Sequence, residues 1–254
     1  MNVKVSLNDG IARVVIDNHP LNLLSNKVKE EIKKVFMCLG KNKCVRVILF
    51  ETAGDHFCCG ADLKEFPERI KNNQAKEAWI QGHDMLNAIM EIPQPTIACV
   101  KGNALGGGAE LVSAFDIRLF ADNVTFGYPE VSRAVYPGNG GFERFMEIAG
   151  SSHAAYLFLT GEKIKAEESL RLGIANKIVD LHDLHQEGER IATLLSSYSN
   201  VTLQTIKKAL TVYQDKDQFF EAGMKWFSLL HETEDVLESV NAFLEKRKPR
   251  YQHK

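Results

Sequence analysis

The chain is predicted to adopt an α/β fold, and three observations predict it. Two β-rich runs open the sequence around an Asp-Gly turn. Strand-like and amphipathic helical segments then alternate through the first half, and from about Asn139 the apolar spacing becomes mostly helical. In order, residues 2–7 and 11–17 flank Asn8-Asp9-Gly10 and read as a hairpin, because Asp-Gly supplies the positive φ angles that a two-residue turn needs. After Pro20, Ser25 caps a helix whose apolar stripe is Val28, Ile32, Val35, Phe36 and Leu39. Cys44 to Phe50 returns as a buried strand, followed by a glycine- and cysteine-containing loop at Ala53–Ala61. A helix over Ala75–Ile92 carries Met85, Leu86, Ile89 and Met90 on one side. Pro95–Val100 is a strand, and after a glycine triplet come a helix at about 109–115 and a strand at about 116–120. Gly173–Val179 interrupts the later helices as a short turn and strand. A change of packing near 190–200 divides the chain into a core over 1–195 and a helical region over 196–254.

Composition narrows the class of function. The 254 residues are 44% hydrophobic, enough for a substantial core. A formal charge of −2, with both signs intermixed and no long basic tract, excludes nucleic acid as an expected partner. Five cysteines, Cys38, Cys44, Cys58, Cys59 and Cys99, form no CxxC pair, which fits reduced thiols in a cytoplasmic protein. The N-terminus alternates like a strand and lacks the apolar core of a signal peptide. No apolar run reaches the roughly 20 residues that span a membrane, so membrane insertion is not expected.

The chemistry concentrates in Gly106-Gly107-Gly108, which runs into Ala109-Glu110-Leu111, and in Tyr128-Pro129-Glu130. Three glycines leave their amides unshielded, so N–H groups can turn toward a ligand oxygen and stabilise an oxyanion. If Glu110 and Glu130 face one pocket, two carboxyls flank an activated carbonyl compound and provide acid–base chemistry without a metal. Taken singly, each feature has a plainer explanation. The glycines make a tight turn into a helix, Glu110 complements a helix dipole, and Glu130 is a solvated loop residue.

Several motifs together resemble the enoyl-CoA hydratase/isomerase (crotonase) superfamily, with the pattern nearest to enoyl-CoA hydratase. They are Pro20-Leu21-Asn22-Leu23-Leu24, Phe57-Cys58-Cys59-Gly60-Ala61-Asp62-Leu63-Lys64-Glu65, Asn103 through Leu111, and Phe126-Gly127-Tyr128-Pro129-Glu130. Pro137-Gly138-Asn139-Gly140-Gly141, Leu159-Thr160-Gly161 and Phe243 through Pro249 follow in the same order, so the resemblance covers essentially the whole chain. It implies a spiral of ββα units with a C-terminal helical trimerisation region, assembled as a homotrimer or as a hexamer of two trimers.

The resemblance also implies roles. The amides of Ala61 and Gly107 would form the oxyanion hole for an acyl-CoA thioester, where losing one donor typically costs about 3 kcal/mol of barrier. Glu130 would deliver a proton to the α-carbon, while Glu110 orients and helps deprotonate water attacking the β-carbon. Leu21, Asp62, Leu63 and Lys64 would lie along the coenzyme A portion, Lys64 as a point charge for phosphate. Tyr128 and Pro137 would border the acyl group, and Phe243 and Lys246 the adenine end, where a neighbouring subunit's last helix contributes. No cofactor is implied, coenzyme A being part of the substrate.

Some positions depart from that pattern. Tyr128 stands where close hydratase relatives commonly carry glutamine, Cys58-Cys59 where small residues are usual, and Tyr136 and Phe142 add aromatic bulk. These departures keep a second reading open, isomerisation or hydration of a cyclic, branched or dienoyl-CoA. A third, less favoured because binding alone needs neither glutamate, is a non-catalytic acyl-CoA-binding protein. His56 reads as a surface loop residue and Trp79 and Trp226 as packing residues. His182 and His185 sit three apart without completing a metal-ligand set.

Overall fold

The computed structural model describes residues 1–212 and 216–253, with side chains described for 1–210 and 223–253. Strands β1 (Val3–Asn8) and β2 (Ile11–Ile16) form the expected antiparallel hairpin, with Asn8 opposite Ile11. Asp9 and Gly10 both take positive φ, 47° and 79°, as the two-residue turn requires. Helix α1 (Asn26–Lys41) starts where Ser25 Oγ accepts the Val28 N–H at 3.3 Å, and its stripe from Val28 to Leu39 is buried.

From β2 the sheet continues in parallel through β3 (Val47–Thr52) and β4 (Thr96–Val100), whose residues are all buried. Strands β6 (Ile117–Ala121) and β9 (Lys177–Val179) complete the order β1-β2-β3-β4-β6-β9. Burial on both faces explains why β3 and β4 read as unbroken apolar runs. Between them lie a 3-10 turn at Leu63–Glu65, α2 (Phe66–Lys71) and α3 (Ala75–Met90).

A second, three-stranded sheet of β5 (Asn103–Leu105), β7 (Thr125–Gly127) and β8 (Lys163–Lys165) carries no counterpart in the sequence reading. Three residues per strand are too few to establish an alternation. Helix α4 runs from Gly107 to Ser113, starting two residues earlier than expected, because Gly106 turns the chain at φ 54° and leaves the rest of the triplet helical. A 3-10 turn at Pro129–Arg133 leads toward α5 (Gly141–Thr160), which bends at Gly150.

The chain closes with α6 (Ala166–Arg171), α7 (Leu184–Ser196), α8 (Asn200–Val212), α9 (Lys216–His231) and α10 (Glu234–Leu244). Lys207 on α8 ties this region to the core, donating to Gln94 O at 2.9 Å and pairing with Asp116 at 2.7 Å. No helix among the described residues is long and apolar enough to cross a membrane.

Asn22 organises the loop that follows β3. Fully buried, it donates through Nδ2 to Ala53 O and to His56 O, each at 2.8 Å, while its Oδ1 accepts the Asn18 N–H. His56 belongs to the same brace, its Nδ1 accepting the Asn103 N–H at 3.3 Å, and is half-buried rather than a free surface residue. Leu21 O accepts the Cys59 N–H, and Leu24 pairs with Ala61 in a parallel bridge. Replacing Asn22 with Ala removes the Nδ2 donor to the part-buried Ala53 carbonyl and one of two donors to the His56 carbonyl, which keeps Thr52 Oγ1, and should lower stability by about 1–2 kcal/mol. Chemical denaturation checks this, and an unchanged midpoint would contradict the bracing role.

Candidate active site

The Ala53–Ala61 loop and the start of α4 meet without side chains between them. Cys58 lies beside Ala104 in a parallel bridge, and the Cys58 carbonyl occupies the place where a Cβ on Gly108 would point. A Cβ on Gly107 would lie 3.6 Å from Ala61 N, and one on Gly60 would lie 3.7 Å from Gly107 N. The two amides are therefore neighbours on facing segments. Neither donates to a protein acceptor among the described residues, since α4 makes its first bond from Glu110 N to Gly106 O. Two adjacent unused N–H groups can hold one oxygen that gains negative charge.

Glu110, on the first turn of α4, is 1% exposed. Its oxygens accept three donors from the loop before α5: Asn139 N at 2.9 Å, Asn139 Nδ2 at 2.6 Å and Gly141 N at 3.1 Å. Gly141 packs directly against the Glu110 side chain, with no room for a Cβ between them. This set of bonds fixes the direction in which the carboxyl faces.

Glu130 approaches from the 3-10 turn, and its Oε1 lies 2.5 Å from where a Cβ on Gly106 would be. Both glutamates thus border the glycine triplet. Glu130 Oε2 is buried without a hydrogen-bond partner among the described residues. Burial pushes the Glu130 carboxyl up from 4.5 to about 7, its backbone N–H opposes the shift, the charge of Glu110 adds to it and Arg133 opposes it. One carboxyl is held by three donors, and the other is half-buried and shares a proton with solvent near neutrality.

Tyr128 is fully buried, with its ring between Phe145 (centroids 4.9 Å apart) and Phe158 (4.4 Å). Phe142 stacks on Phe158 at 4.4 Å and on the exposed Tyr136 at 5.7 Å, and Tyr136 faces Trp79 at 6.1 Å. An aromatic row therefore runs from the surface to the glutamates, and Trp79 belongs to it rather than to the core.

The other expected contact residues divide. Ala61, Asp62, Leu63 and Lys64 are consecutive, Asp62 capping the 3-10 turn by accepting the Lys64 N–H at 3.1 Å, with Leu63 and Lys64 exposed. Leu21 is exposed beside this loop, and Pro137 is buried two residues before Asn139. Phe243, 82% exposed at the end of α10, and Lys246 make no hydrogen bond, ion pair or ring contact with this constellation. Two residues escaped the sequence reading. Asn139 was visible only as part of a glycine-rich motif. Lys29 interrupts the apolar stripe of α1 three positions before Ile32, and that placement was its signal. It is 3% exposed, and while its backbone N–H donates to Ser25 O, its ammonium makes no hydrogen bond or ion pair among the described residues. Burial and then Arg69 depress its pKa, against the attraction of Glu110 and Glu65.

Burial pushes the Cys58 thiol up to about 12, so it is no nucleophile at neutral pH. Two surface hollows, of about 430 Å³ beside Glu51, Cys99 and His185 and about 570 Å³ beside Lys177, Asp183 and Arg190, include none of the site residues. The candidate site is identified by its free amides and paired carboxyls, which neither hollow offers, and volume alone carries no chemistry.

Comparison with known proteins places this geometry in context. The family described as Enoyl-CoA hydratase/isomerase matches residues 6–254. The short-chain-enoyl-CoA hydratase of Clostridium acetobutylicum is 32% identical over 245 residues, covering 94% of each chain. The crotonyl-CoA hydratase of Syntrophomonas wolfei is 32% identical over 243 residues, covering 94% of this chain and 93% of that protein. Among solved structures, the enoyl-CoA hydratase of Bacillus anthracis superposes with a TM-score of 0.93 at 29% identity, covering 100% of both chains. An enoyl-CoA hydratase subunit of Geobacillus kaustophilus gives 0.91 at 32% identity, covering 100% of this chain and 99% of that one.

The raised Glu130 pKa has a consequence for stability. Between pH 4.5 and about 7 the native state keeps a proton that the unfolded chain has released, so this group's contribution to stability is lost as pH rises through about 7. Glu130→Gln should therefore match the parent near pH 4 and exceed it in stability near pH 8. Denaturation at the two pH values checks this, and equal differences at both would contradict the raised pKa.

Proposed function

The chain belongs to the enoyl-CoA hydratase/isomerase family and has its crotonase-type fold, and on that premise we propose that it is a hydratase adding water across the 2,3-double bond of an enoyl-CoA thioester. It is an enzyme of this family, acting on acyl-CoA. The observation that carries the finer reading is the pair of unused amides at Ala61 and Gly107 with Glu110 and Glu130 beside them.

In this reading the thioester oxygen lies between the two N–H groups, which stabilise the enolate charge as water adds. Glu110, oriented by Asn139 and Gly141, takes a proton from the water that attacks the β-carbon. Glu130, whose carboxyl keeps a proton up to about pH 7, delivers it to the α-carbon. Different surroundings give two like groups opposite tasks. The reaction draws on no cofactor, coenzyme A entering as part of the substrate and passing Leu21, Asp62, Leu63 and Lys64.

Residues 1–195 carry this chemistry, and residues 196–254 assemble subunits into a trimer or a pair of trimers. Exposed apolar side chains on the last helices, among them Ile206, Leu210, Phe227, Leu237 and Phe243, support an assembly that covers them. Phe243 and Lys246 would then reach the adenine end of a neighbour's substrate. Light scattering should return the mass of three or six chains, and a monomer would contradict the assembly.

The row from Trp79 to Tyr128 favours a second reading of the substrate, an acyl group with a ring or branch that packs on aromatic faces. Loss of the conjugated enoyl-thioester absorbance of crotonyl-CoA, with gain of one water by mass, tests the hydratase. Glu110→Gln and Glu130→Gln should each lower kcat by about a hundredfold or more while coenzyme A binding persists. Near-normal turnover in either variant would overturn the assignment, and turnover confined to ring-bearing or branched substrates would select the second reading.

A further inference from the structure

Two buried oxygens near the glycine triplet, Tyr128 Oη and Glu130 Oε2, have no hydrogen-bond partner among the described residues, whereas Asn139 Oδ1, also unpaired, lies against Gly82 of α3, 2.5 Å from where a Cβ there would be. The three residues belong to one neighbourhood. Asn139 grips Glu110 through its amide N–H groups, and its Nδ2 lies 3.0 Å from where a Cβ on Gly107 would be. Glu130 abuts Gly106, the next residue along. Tyr128 is two residues from Glu130, and the charges of both glutamates act on its phenol.

The Tyr128 ring is held edge-on to Phe126 at 5.6 Å and packed on Phe145 and Phe158, so its hydroxyl cannot swing away to find solvent. Phenylalanine would fill the same space, and an unsatisfied buried hydroxyl costs about 1–3 kcal/mol. The group that remains is a donor, because burial and then the two carboxyl charges keep the phenol protonated. One open donor and one open acceptor beside the Glu110 carboxyl complement a molecule with lone pairs and two O–H groups, which is water.

We propose that Tyr128 is a positioning residue for the hydration: its hydroxyl donates to the oxygen of the reacting water, whose own two O–H groups are left to face Glu130 Oε2 and the Glu110 carboxyl. One O–H bond gives its proton to Glu110 as the oxygen bonds the β-carbon, Glu130 supplies the α-carbon proton, and Tyr128 keeps the water oxygen aimed at the β-carbon. In the reverse reaction the same hydroxyl binds the oxygen of the 3-hydroxyacyl thioester. This inference rests on the acid–base reading of Glu110 and Glu130.

Tyr128→Phe removes the hydroxyl and keeps the ring. With crotonyl-CoA, kcat should fall about tenfold or more with KM changed less than about threefold, since only the water loses its aim. The melting temperature should change little, because phenylalanine keeps the packing on Phe145 and Phe158.

A second readout needs no turnover. In the ligand-free protein, the titration of Glu130, followed by carboxyl infrared bands absent in Glu130→Gln, should move upward in Tyr128→Phe. The water loses a donor that helps it stabilise the ionised carboxyl. The charges facing Glu130, Glu110 from α4 and Arg133 from its own turn, stay in place, as does Arg144 of α5, which feels Glu110. Unchanged kcat, or an unmoved Glu130 midpoint, would overturn the role of Tyr128 while leaving the hydratase standing. Failure of the parent protein to hydrate any enoyl-CoA would remove the hydratase reading and the role with it, whatever the titration shows.

Discussion

The structure depends on one close approach, that of the backbone at Gly106–Gly108 to the loop from Cys58 to Ala61. Its cause is steric. A side chain on Gly108 would occupy the Cys58 carbonyl, and one on Gly106 would displace Glu130. Without side chains at these points, the start of α4 lies against the loop and two N–H groups are left side by side with no acceptor among the described residues. The loop is held from the other side by Asn22, by Leu24 bridged to Ala61 and by the Leu21 carbonyl. The parallel sheet supplies the rigid base for both segments, since β3 leads into the loop and β4 into β5 and the triplet.

Once that approach is made, the electrostatics of the two glutamates follow from where their elements come from. Glu110 rides on α4 and meets the Asn139–Gly141 loop, whose N–H groups converge on it. Glu130 rides on a 3-10 turn, its Oε2 meets no donor among the described residues, and burial dominates its titration. The pair is asymmetric because the neighbouring backbone is asymmetric, and an asymmetric pair separates acid from base.

Local signals carried much of this into the sequence. The hairpin was legible because its turn needs Asp-Gly, and α1 because its cap and stripe are short-range. The triplet with Glu110 was legible because the functional groups are adjacent in the chain. Other features depend on distant packing. Asn139 matters only because α5 brings its preceding loop onto Glu110, and nothing in residues 137–141 announces that partner. Strands β5, β7 and β8 are too short for periodicity. Tyr128 was visible as a departure from the family pattern, but its unpaired hydroxyl emerges only when Phe126, Phe145 and Phe158 close around it. Phe243, exposed at the end of α10, and Lys246 make no hydrogen bond, ion pair or ring contact with the site within one chain, which the sequence spacing did not reveal.

The central claim is that the amides of Ala61 and Gly107 polarise a thioester carbonyl between the two glutamates. The most direct measurement is infrared difference spectroscopy of crotonyl-CoA carrying a 13C-labelled carbonyl, bound to a protein in which both glutamates are glutamine so that turnover is suppressed. The account predicts a carbonyl stretch at lower frequency than in free crotonyl-CoA in water, because two fixed donors replace mobile solvent. A bound carbonyl at the solution frequency, or above it, would contradict the oxyanion hole and with it the mechanism built around it.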